Sequence, residues 1–258
     1  MTNINKTLYI PLYGKAYVSR KGIILRDEKA EAIWAQVAFP LRGKAKSKWL
    51  AYYMGMRAAV FDRWVAAQPG DIVLHIGCGL DSRAERVGTG RMWYDIDFPE
   101  VIAERKRYYT GDTHYHMTGG DARGTGFLAE IPRGGRAVIV MEGLSMYLRT
   151  RELKSLLAVL RAHFDEVSVL MDCYTTLAAK LSKYKNPINT VGVTEVYGVD
   201  RPETLCTEGL SFIKEHELTP PELIDELQGR EKQIFQKIFA GSFSRKLYRL
   251  FEYGSVSQ

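Results

Sequence analysis

A short stretch with two glycines and a charged pair is the part of this sequence best suited to hold a ligand. The sequence LHIGCGLDSR places Gly77 and Gly79 on either side of Cys78, directly after an apolar run. Glycine has no Cβ, so a backbone that turns here can pass close to a bound molecule. The dinucleotide-binding fingerprint requires a third glycine where this chain has Ser82, and Asp81 would face a pyrophosphate with a carboxylate. A cofactor with a cationic centre and no phosphate, such as S-adenosylmethionine, suits these residues better than a dinucleotide.

Three carboxylates are placed where further strands are predicted to end. Asp97 closes RMWYDID, 18 residues after Gly79, and an ionised carboxylate there can accept hydrogen bonds from both hydroxyls of a ribose. Glu142 follows the apolar run AVIVM. Asp121, in GGDAR, is placed to bind an adenine amino group, although the same position suits a helix N-cap. Because ligands of parallel sheets bind beyond the carboxyl ends of the strands, the glycine turn and Asp97 together predict a nucleoside site.

The elements that must position these residues alternate between strand and helix. Short apolar segments predict five strands, at residues 71–76, 91–97, 114–118, 136–142 and 166–172. Pro99 opens one intervening helix, and leucines spaced three or four residues apart mark another that begins near Thr150. This alternation predicts an α/β fold, with βαβ units, a mainly parallel sheet and helices on both of its faces.

Different patterns flank this core. Apolar and aromatic side chains recur every three or four positions from Trp49 to Trp64, which predicts a buried helix face. Further along, VGVTEVYG and LSFIKEHEL predict two strands that form a hairpin at one edge of the sheet, and REKQIFQKIFAGSFSRKLYRLF predicts a helix broken near Gly241. We expect one domain over residues 1–258, made of an N-terminal helical cap (1–68), a cofactor-binding core (69–172) and a C-terminal sheet edge with helices (173–258).

Composition argues against several other classes of protein. The 258 residues are 46% hydrophobic and 26% charged, and no run reaches the roughly 18 apolar residues of a membrane helix. The N-terminal sequence has no signal-peptide pattern, so we expect a cytoplasmic protein without a membrane partner. The net charge of +6 comes from scattered residues, and its densest runs, KAKSK and ERKRYY, predict solvated helix faces rather than a nucleic-acid site. Three widely separated cysteines predict neither a disulfide framework nor a metal site.

Four motifs together resemble a known family. HIGCGLDSR, YDIDFPEVI, GGDAR and MEGLSMYL are similar to the successive motifs of the leucine carboxyl methyltransferase family, in particular its bacterial, tetracenomycin O-methyltransferase-like branch. The likeness continues upstream in IPLYGKAYVSRKGIILRDEKAEAI and MGMRAAVFDRWV, and it covers roughly residues 7–172. It implies a Rossmann-like class I methyltransferase fold, with a seven-stranded sheet that contains one antiparallel strand.

The resemblance also implies a cofactor and the residues that bind it. The cofactor would be S-adenosyl-L-methionine, converted to S-adenosyl-L-homocysteine. In such a site residues 77–79, which include Cys78, would line the methionine part and Glu142 would lie near its amino group. Asp97 would hold the ribose, and Asp121 and Ala122 would face adenine.

Basic and aromatic residues complete the implied site. Lys15 and Arg57 match family residues that neutralise a carboxylate, either of the cofactor or of the substrate, and Tyr147 would lie nearby. No catalytic residue is assigned, so Arg57 and Tyr147 are candidates for positioning alone. From their spacing, Asp81 and Arg83 are predicted to pair and brace the glycine turn.

The function that these features predict is methylation of an oxygen, with a small-molecule carboxylate as the acceptor. A carboxylate is already ionised at neutral pH, so it needs no general base, and no residue of the sequence is marked as one. Alternative acceptors are a phenol or alcohol, or a protein C-terminal carboxylate. Two further alternatives are a protein that binds S-adenosylmethionine without catalysis and a nucleotide-dependent oxidoreductase.

Overall fold

A seven-stranded sheet forms the centre of the structure, a computed structural model that describes residues 5–88, 90–185 and 195–256. In chain order its strands are β1 (Ile72–Ile76), β2 (Met92–Asp97), β3 (Tyr115–Gly119), β4 (Arg136–Met141), β5 (Glu166–Tyr174), β6 (Leu210–His216) and β7 (Tyr248–Ser255). They are arranged as β3-β2-β1-β4-β5-β7-β6. Strands β1 to β5 are parallel, while β7 is antiparallel to both of its neighbours, β5 and β6. The mostly parallel sheet with one antiparallel strand is confirmed.

Helices cover the sheet and extend beyond it. The α-helices of the described ranges are α1 (Tyr9–Arg20), α2 (Glu28–Gln36), α3 (Lys48–Ala67), α4 (Arg83–Val87), α5 (Pro99–Arg105), α6 (Thr150–His163), α7 (Thr176–Lys185), α8 (Pro221–Ile224), α9 (Gly229–Ile238) and α10 (Ser242–Arg245). Short 3₁₀ helices span Asn5–Leu8, Gly43–Lys46, Gly126–Glu130, Ser145–Tyr147 and Pro202–Leu205. None of these helices has both the length and the apolar composition needed to cross a membrane.

Two cores form because the central strands are apolar on both faces. Every residue of β1 is buried, which agrees with its nearly continuous apolar sequence. Alternate residues of β1 pack in opposite directions, Leu74 against the leucine stripe of α6 and Val73 against Trp64 of α3. The prediction of helices on both faces is therefore confirmed, and α6 begins at Thr150 as expected.

The order of the strands places a crevice beside β1. From β1 the chain continues to β2 and β3 on one side, and it then crosses to β4 on the other. Parallel sheets bind ligands at such a switch point, beyond the carboxyl ends of the strands. The N-terminal helices reach this edge. Leu8, just before α1, lies against Gly79, and α1 itself packs on α2 and α3. The division of the chain into cap, core and sheet edge stays a prediction.

The C-terminal region differs most from the sequence prediction. LSFIKEHEL does form β6, but its antiparallel partner is β7. The prediction of helix through residue 251 is wrong, because the helical stretch ends earlier and β7 begins at Tyr248. Pairing between β5 and β6 buries Leu250 and Phe251 completely, and this tertiary burial outweighs the local helical pattern. The predicted break near Gly241 does separate α9 from α10. Of the predicted strand at 191–198, residues 191–194 lie outside the described ranges and 195–198 form no strand.

Candidate cofactor and acceptor site

A cavity of about 790 Å³ opens at the carboxyl ends of β1, β2 and β4. Its lining includes residues 77–81 after β1, Asp97 and Phe98 at the end of β2, and residues 142–144 after β4. Further lining residues come from α1, α3, α7, α9 and β7. This volume is typical of small-molecule sites. The cavity therefore has one wall made by strand ends and another made mainly by helices.

The glycine turn is shaped to bring backbone close to a ligand. Gly77 and Gly79 have φ values of 76° and 53°, a region that other residues rarely adopt. A Cβ at Gly77 would lie 3.2 Å from the side chain of Leu144, and a Cβ at Gly79 would lie 3.3 Å from that of Leu8. Substitution at either position would therefore strain the turn and crowd the cavity.

Asp97 is tied to this turn by backbone hydrogen bonds. The N–H of Gly79 donates to Asp97 Oδ2 at 2.8 Å, and the N–H of Phe98 donates to Oδ1 at 2.8 Å. Removal from bulk water raises the pKa of Asp97 to about 6, and the two amide donors oppose only part of this rise. Each carboxylate oxygen retains acceptor capacity, so the ionised group can still accept hydrogen bonds from a pair of hydroxyls.

Arg105 supports the turn from beneath. Its guanidinium donates to the carbonyl oxygens of Gly79 at 3.0 Å and Asp81 at 2.6 Å, and it also pairs with the Asp95 carboxylate. The ring of Tyr109 lies 4.0 Å from the guanidinium carbon. The sequence prediction of a solvated face for ERKRYY is wrong at Arg105, which is fully buried, because these partners replace its hydration.

Asp81 sits among three cations. Its carboxylate lies 3.0 Å from Lys15 Nζ, 2.8 Å from Arg86 and 3.2 Å from Arg83. Burial raises the pKa of Asp81, but the charges of Arg86, Lys15 and Arg83 outweigh this effect and hold the pKa well below its usual range. The predicted pairing of Asp81 with Arg83 is confirmed.

Glu142 joins two buried arginines. Arg57 Nη2 lies 2.9 Å from Glu142 Oε1, and Arg83 pairs with Oε2. Burial raises the pKa of Glu142, but Arg57 and Arg83 reverse the shift and lower it to about 2. Arg57 also donates to Asp172 Oδ2 and to the Tyr248 hydroxyl, each at 2.9 Å. A continuous network of buried charges and hydrogen bonds thus runs from the turn after β1 to the start of β7.

His75 lies inside this network and does not act as a free base. Its Nε2 is 3.1 Å from Arg83 Nη1, and a guanidinium can only donate, so Nε2 accepts and the proton is on Nδ1. Nδ1 faces Asp95 Oδ1 at 3.3 Å. Burial lowers the pKa of His75, which keeps the imidazole neutral.

The second wall of the cavity is aromatic. The rings of Tyr53 and Tyr174 pack against that of Tyr248, with centroids 6.1 Å and 5.0 Å apart, and Trp49 stacks on Phe239 at 5.6 Å. The hydroxyl of Tyr53 is buried without a hydrogen bond of normal geometry. Such a wall favours an apolar or aromatic ligand with a small number of polar groups.

Comparison with known proteins agrees with this geometry. No family model matches the chain. Over 246 residues the chain is 28% identical to the tetracenomycin polyketide synthesis O-methyltransferase TcmP of Streptomyces glaucescens, an alignment that covers 91% of this chain and 90% of TcmP. It is 26% identical to the S-adenosyl-L-methionine-dependent methyltransferase dpfgK of Gibberella zeae, over 82% of this chain and 81% of that one.

Solved structures share the fold. Magnesium protoporphyrin IX methyltransferase from Synechocystis, crystallised with S-adenosylhomocysteine, superposes with a TM-score of 0.56 at 14% identity, covering 89% of this chain and 93% of that one. The plantazolicin methyltransferase BamL gives 0.54 at 13% identity, covering 89% and 97%. The chain has the class I methyltransferase fold, and its similarity to TcmP and dpfgK supports S-adenosylmethionine-dependent methyl transfer. The expected likeness to the tetracenomycin branch is confirmed, and so is the cofactor.

The residues of the methyltransferase fit this cofactor chemically. The two glycines leave space that a Cβ would fill, and Asp97 offers a carboxylate to a ribose. Phe98 and Val101 add apolar surface beside Asp97, where a nucleobase would need it.

The cavity gathers most of the residues predicted for the site. Those that line it are Lys15, Arg57, Gly77, Cys78, Gly79, Asp97, Glu142 and Tyr147. Asp121 and Ala122 are not among the lining residues, and the Asp121 carboxylate is held by Arg123 at 2.6 Å. Their contact with adenine stays a prediction, as do the cofactor contacts of the others.

Several lining residues were not identified from the sequence. Lys44, Leu181, Ile238 and Tyr248 belong to segments without a motif, and Tyr248 was assigned to a helix. The aromatic stripe of α3 was the one available signal, since it contains Trp49 and Tyr53.

Proposed function

We propose that this methyltransferase methylates a carboxylate oxygen of a small molecule. The observation that carries the proposal is the state of the acidic and basic groups that line the cavity. Asp81 and Glu142 are neutralised by buried cations, and the Nε2 lone pair of His75 accepts from Arg83. None of these three side chains is free to remove a proton from an acceptor.

Three tyrosines of the cavity do not fill this role either. Burial raises the pKa of Tyr53, Tyr147 and Tyr248, so their hydroxyls stay protonated at neutral pH. A phenol or alcohol acceptor needs a base that removes its proton, whereas a carboxylate is already ionised. With Asp97 assigned to the cofactor ribose, the cavity therefore suits an acceptor that brings its own negative charge.

Lys44 is a cation suited to attract that charge. It lines the cavity and is exposed, and none of the ion pairs of the described residues includes it. Lys15 and Arg57 also line the cavity, but both are paired with carboxylates of the protein. We infer that Lys44 steers an anionic acceptor into the cavity, while Lys15 and Arg57 hold Asp81 and Glu142 in place.

The chain's own residues bind, orient and exclude water. Asp97 would accept the ribose hydroxyls, residues 77–79 would contact the methionine part, and Glu142 would accept from its amino group. When bound, S-adenosylmethionine would supply a methyl group on its sulfonium, and transfer of that methyl group to a carboxylate oxygen would yield an ester and S-adenosylhomocysteine. The aromatic wall keeps water away from this reaction.

The relatives support transfer to oxygen. TcmP is named as an O-methyltransferase of polyketide synthesis, and it aligns with nearly the whole of this chain. The solved structures share the fold at 12–14% identity, so they support the cofactor-binding architecture and no particular acceptor.

A methyl-transfer assay with a matched acceptor panel tests the proposal. We expect tritiated S-adenosylmethionine to label arylcarboxylic acids but not the corresponding benzyl alcohols and phenols. The product should release methanol in mild alkali, and at saturating cofactor the rate should be nearly flat between about pH 7 and 8.5, well above the pKa of the acceptor.

Other outcomes would assign other functions. An alkali-stable product and a rate that rises with pH would replace the proposal with phenol or alcohol methylation. Labelling of peptides only at their C-terminal carboxylates would indicate a protein acceptor. Tight cofactor binding with no product from any acceptor of the panel would contradict the proposal.

A further inference from the structure

Exposed apolar side chains are concentrated on two helices of this protein. Among the described residues six large apolar side chains are strongly exposed, and four of them lie on α7 and α9. Leu177 and Leu181 are 48% and 53% exposed on α7, and Ile234 and Ile238 are 40% and 55% exposed on α9. Each pair is four residues apart, so each forms a short stripe on one helix face. Clustered exposure of this kind marks a binding surface more often than scattered apolar residues do.

In each stripe one of the two side chains lines the cavity and the other does not. Leu181 and Ile238 line the cavity, whereas Leu177 and Ile234 do not. A side chain that both lines a cavity and is more than half exposed lies at its mouth. Next to Ile238, Phe239 stacks on Trp49, so the apolar mouth is continuous with the aromatic wall inside.

We propose that Leu181 and Ile238 determine acceptor specificity by binding the apolar end of the acceptor where it leaves the cavity. The acceptor is then an amphiphile, with its reacting group inside and an apolar body that reaches the mouth. The inference rests on the proposed function only for the identity of the reacting group. The mouth itself recognises apolar surface, whichever group reacts.

The charges beside the two stripes favour this occupant over a second copy of the chain. An acceptor that emerges from the cavity covers Leu181 and Ile238 and leaves their partners Leu177 and Ile234 in water. A protein partner laid across the two helices would cover all four side chains. Lys180 and Lys237 are exposed beside the two stripes, and their like charges oppose the pairing of identical surfaces.

Two series of probes separate the mouth from the reacting group. We would titrate the S-adenosylhomocysteine-saturated enzyme with 4-alkylbenzoates and with 4-alkylbenzamides from methyl to hexyl, and measure affinity by calorimetry. In both series affinity should rise about twofold to fourfold for each methylene that reaches the mouth. The benzamides carry no charge, so their dependence on chain length reports the mouth alone.

Matched serine variants test the two residues. Leu181→Ser and Ile238→Ser should each reduce the gain per methylene. Leu177→Ser and Ile234→Ser make the same changes at similar exposure on the same helices, and they should retain the wild-type gain. Affinity for S-adenosylhomocysteine should be the same in all four, which checks that each variant is folded.

The inference is overturned by any of three results. The first is an affinity that does not depend on alkyl chain length in the wild type. The second is an equal reduction of the gain per methylene in all four variants. The third is a wild type that sediments as a dimer and four variants that do not, with the dependence on chain length unchanged. The last result would assign the surface to a second copy of the chain. Benzoates that bind with the expected dependence but are never methylated would leave the mouth standing and refute the proposed function.

Discussion

The two walls of the cavity are built from opposite kinds of interaction. The wall at the strand ends, which we propose as the cofactor wall, consists of buried charges joined through Arg83, which contacts Asp62, Asp81 and Glu142. The aromatic wall, which we propose as the acceptor wall, consists of rings such as Tyr248 and of half-exposed apolar side chains at the mouth. Charge pairs are directional and costly to desolvate, whereas apolar contacts depend mainly on area. The first wall can therefore hold one ligand in one orientation, and the second can accommodate acceptors of different shapes.

This difference also explains what each wall contributes to the folded state. A buried ion loses its hydration, and only well-placed partners compensate for that loss. Removal of one member of the network therefore leaves the remaining buried charges less well compensated. Removal of an apolar side chain at the mouth exposes little that was not already exposed. We expect substitutions in the cofactor wall to lower the stability of the protein, and substitutions in the acceptor wall to change which substrates it binds.

The largest expected effect is on stability, from Arg83→Met. The side chain is fully buried, and its loss would leave Glu142 Oε2 without its ion-pair partner and remove one of the buried cations around Asp81 and Asp62. We expect a loss of about 3–5 kcal/mol in the free energy of unfolding, measured by denaturant titration. Arg63→Met is the control, since Arg63 pairs with Glu222 at the surface and should cost about 1 kcal/mol or less. Similar losses in the two variants would show that the buried network adds no more than a surface pair.

The next largest effect is on cofactor affinity. It compares Asp97 and Asp121, the two carboxylates predicted to bind the ribose and the adenine of the cofactor. Asp97→Ala should weaken S-adenosylmethionine binding by about 1.5–3 kcal/mol, since charge-assisted hydrogen bonds to the ribose are lost. Asp121→Ala is the comparison, because that carboxylate is bound to Arg123 and does not line the cavity. Calorimetry would measure both. A greater loss at Asp121 than at Asp97 would reverse this view of the cofactor wall.

The pH dependence of cofactor binding tests whether it is the ionised form of Asp97 that binds the cofactor. Burial raises the pKa of Asp97 to about 6, so the group is ionised above that pH and becomes neutral below it. The neutral acid accepts hydrogen bonds less well, so affinity should fall as pH decreases through about 6. Asp97→Asn should lack this step. If the wild type and the variant follow the same pH profile, another group controls binding in this range.

The smallest effect tests the charge at the acceptor side. Lys44→Gln should raise the KM of a carboxylate acceptor about twofold to fivefold, because an exposed ion pair contributes at most about 1 kcal/mol. The effect should diminish at high salt. Lys46→Gln is the matched control, since that exposed lysine lies in the same segment and does not line the cavity. Equal changes in the two variants would indicate general attraction by positive charge rather than a role for Lys44.

Sequence periodicity and local chemistry determined the core of the fold and one wall of the site. The apolar runs of β1, β2, β4 and β5 each lie between turn residues or helices, so their nature and approximate bounds follow from short segments. Gly77, Gly79 and Asp97 follow consecutive strands, and the parallel topology that such strands require brings them to one edge. Local pattern was sufficient here because each feature depends on neighbours within about 20 residues.

Tertiary structure alone decided the rest. β7 forms because β5 and β6 offer it two sets of hydrogen-bond partners, although its own sequence continues a helical pattern. Tyr248 thereby meets Arg57 across 191 residues of sequence, and Arg57 becomes a member of a buried network rather than a surface cation. The pairing of buried charges and the exposure of Leu181 and Ile238 at a cavity mouth depend on which surfaces the fold brings together. A one-dimensional pattern contains no measure of that proximity, so these features appear only once the chain is folded.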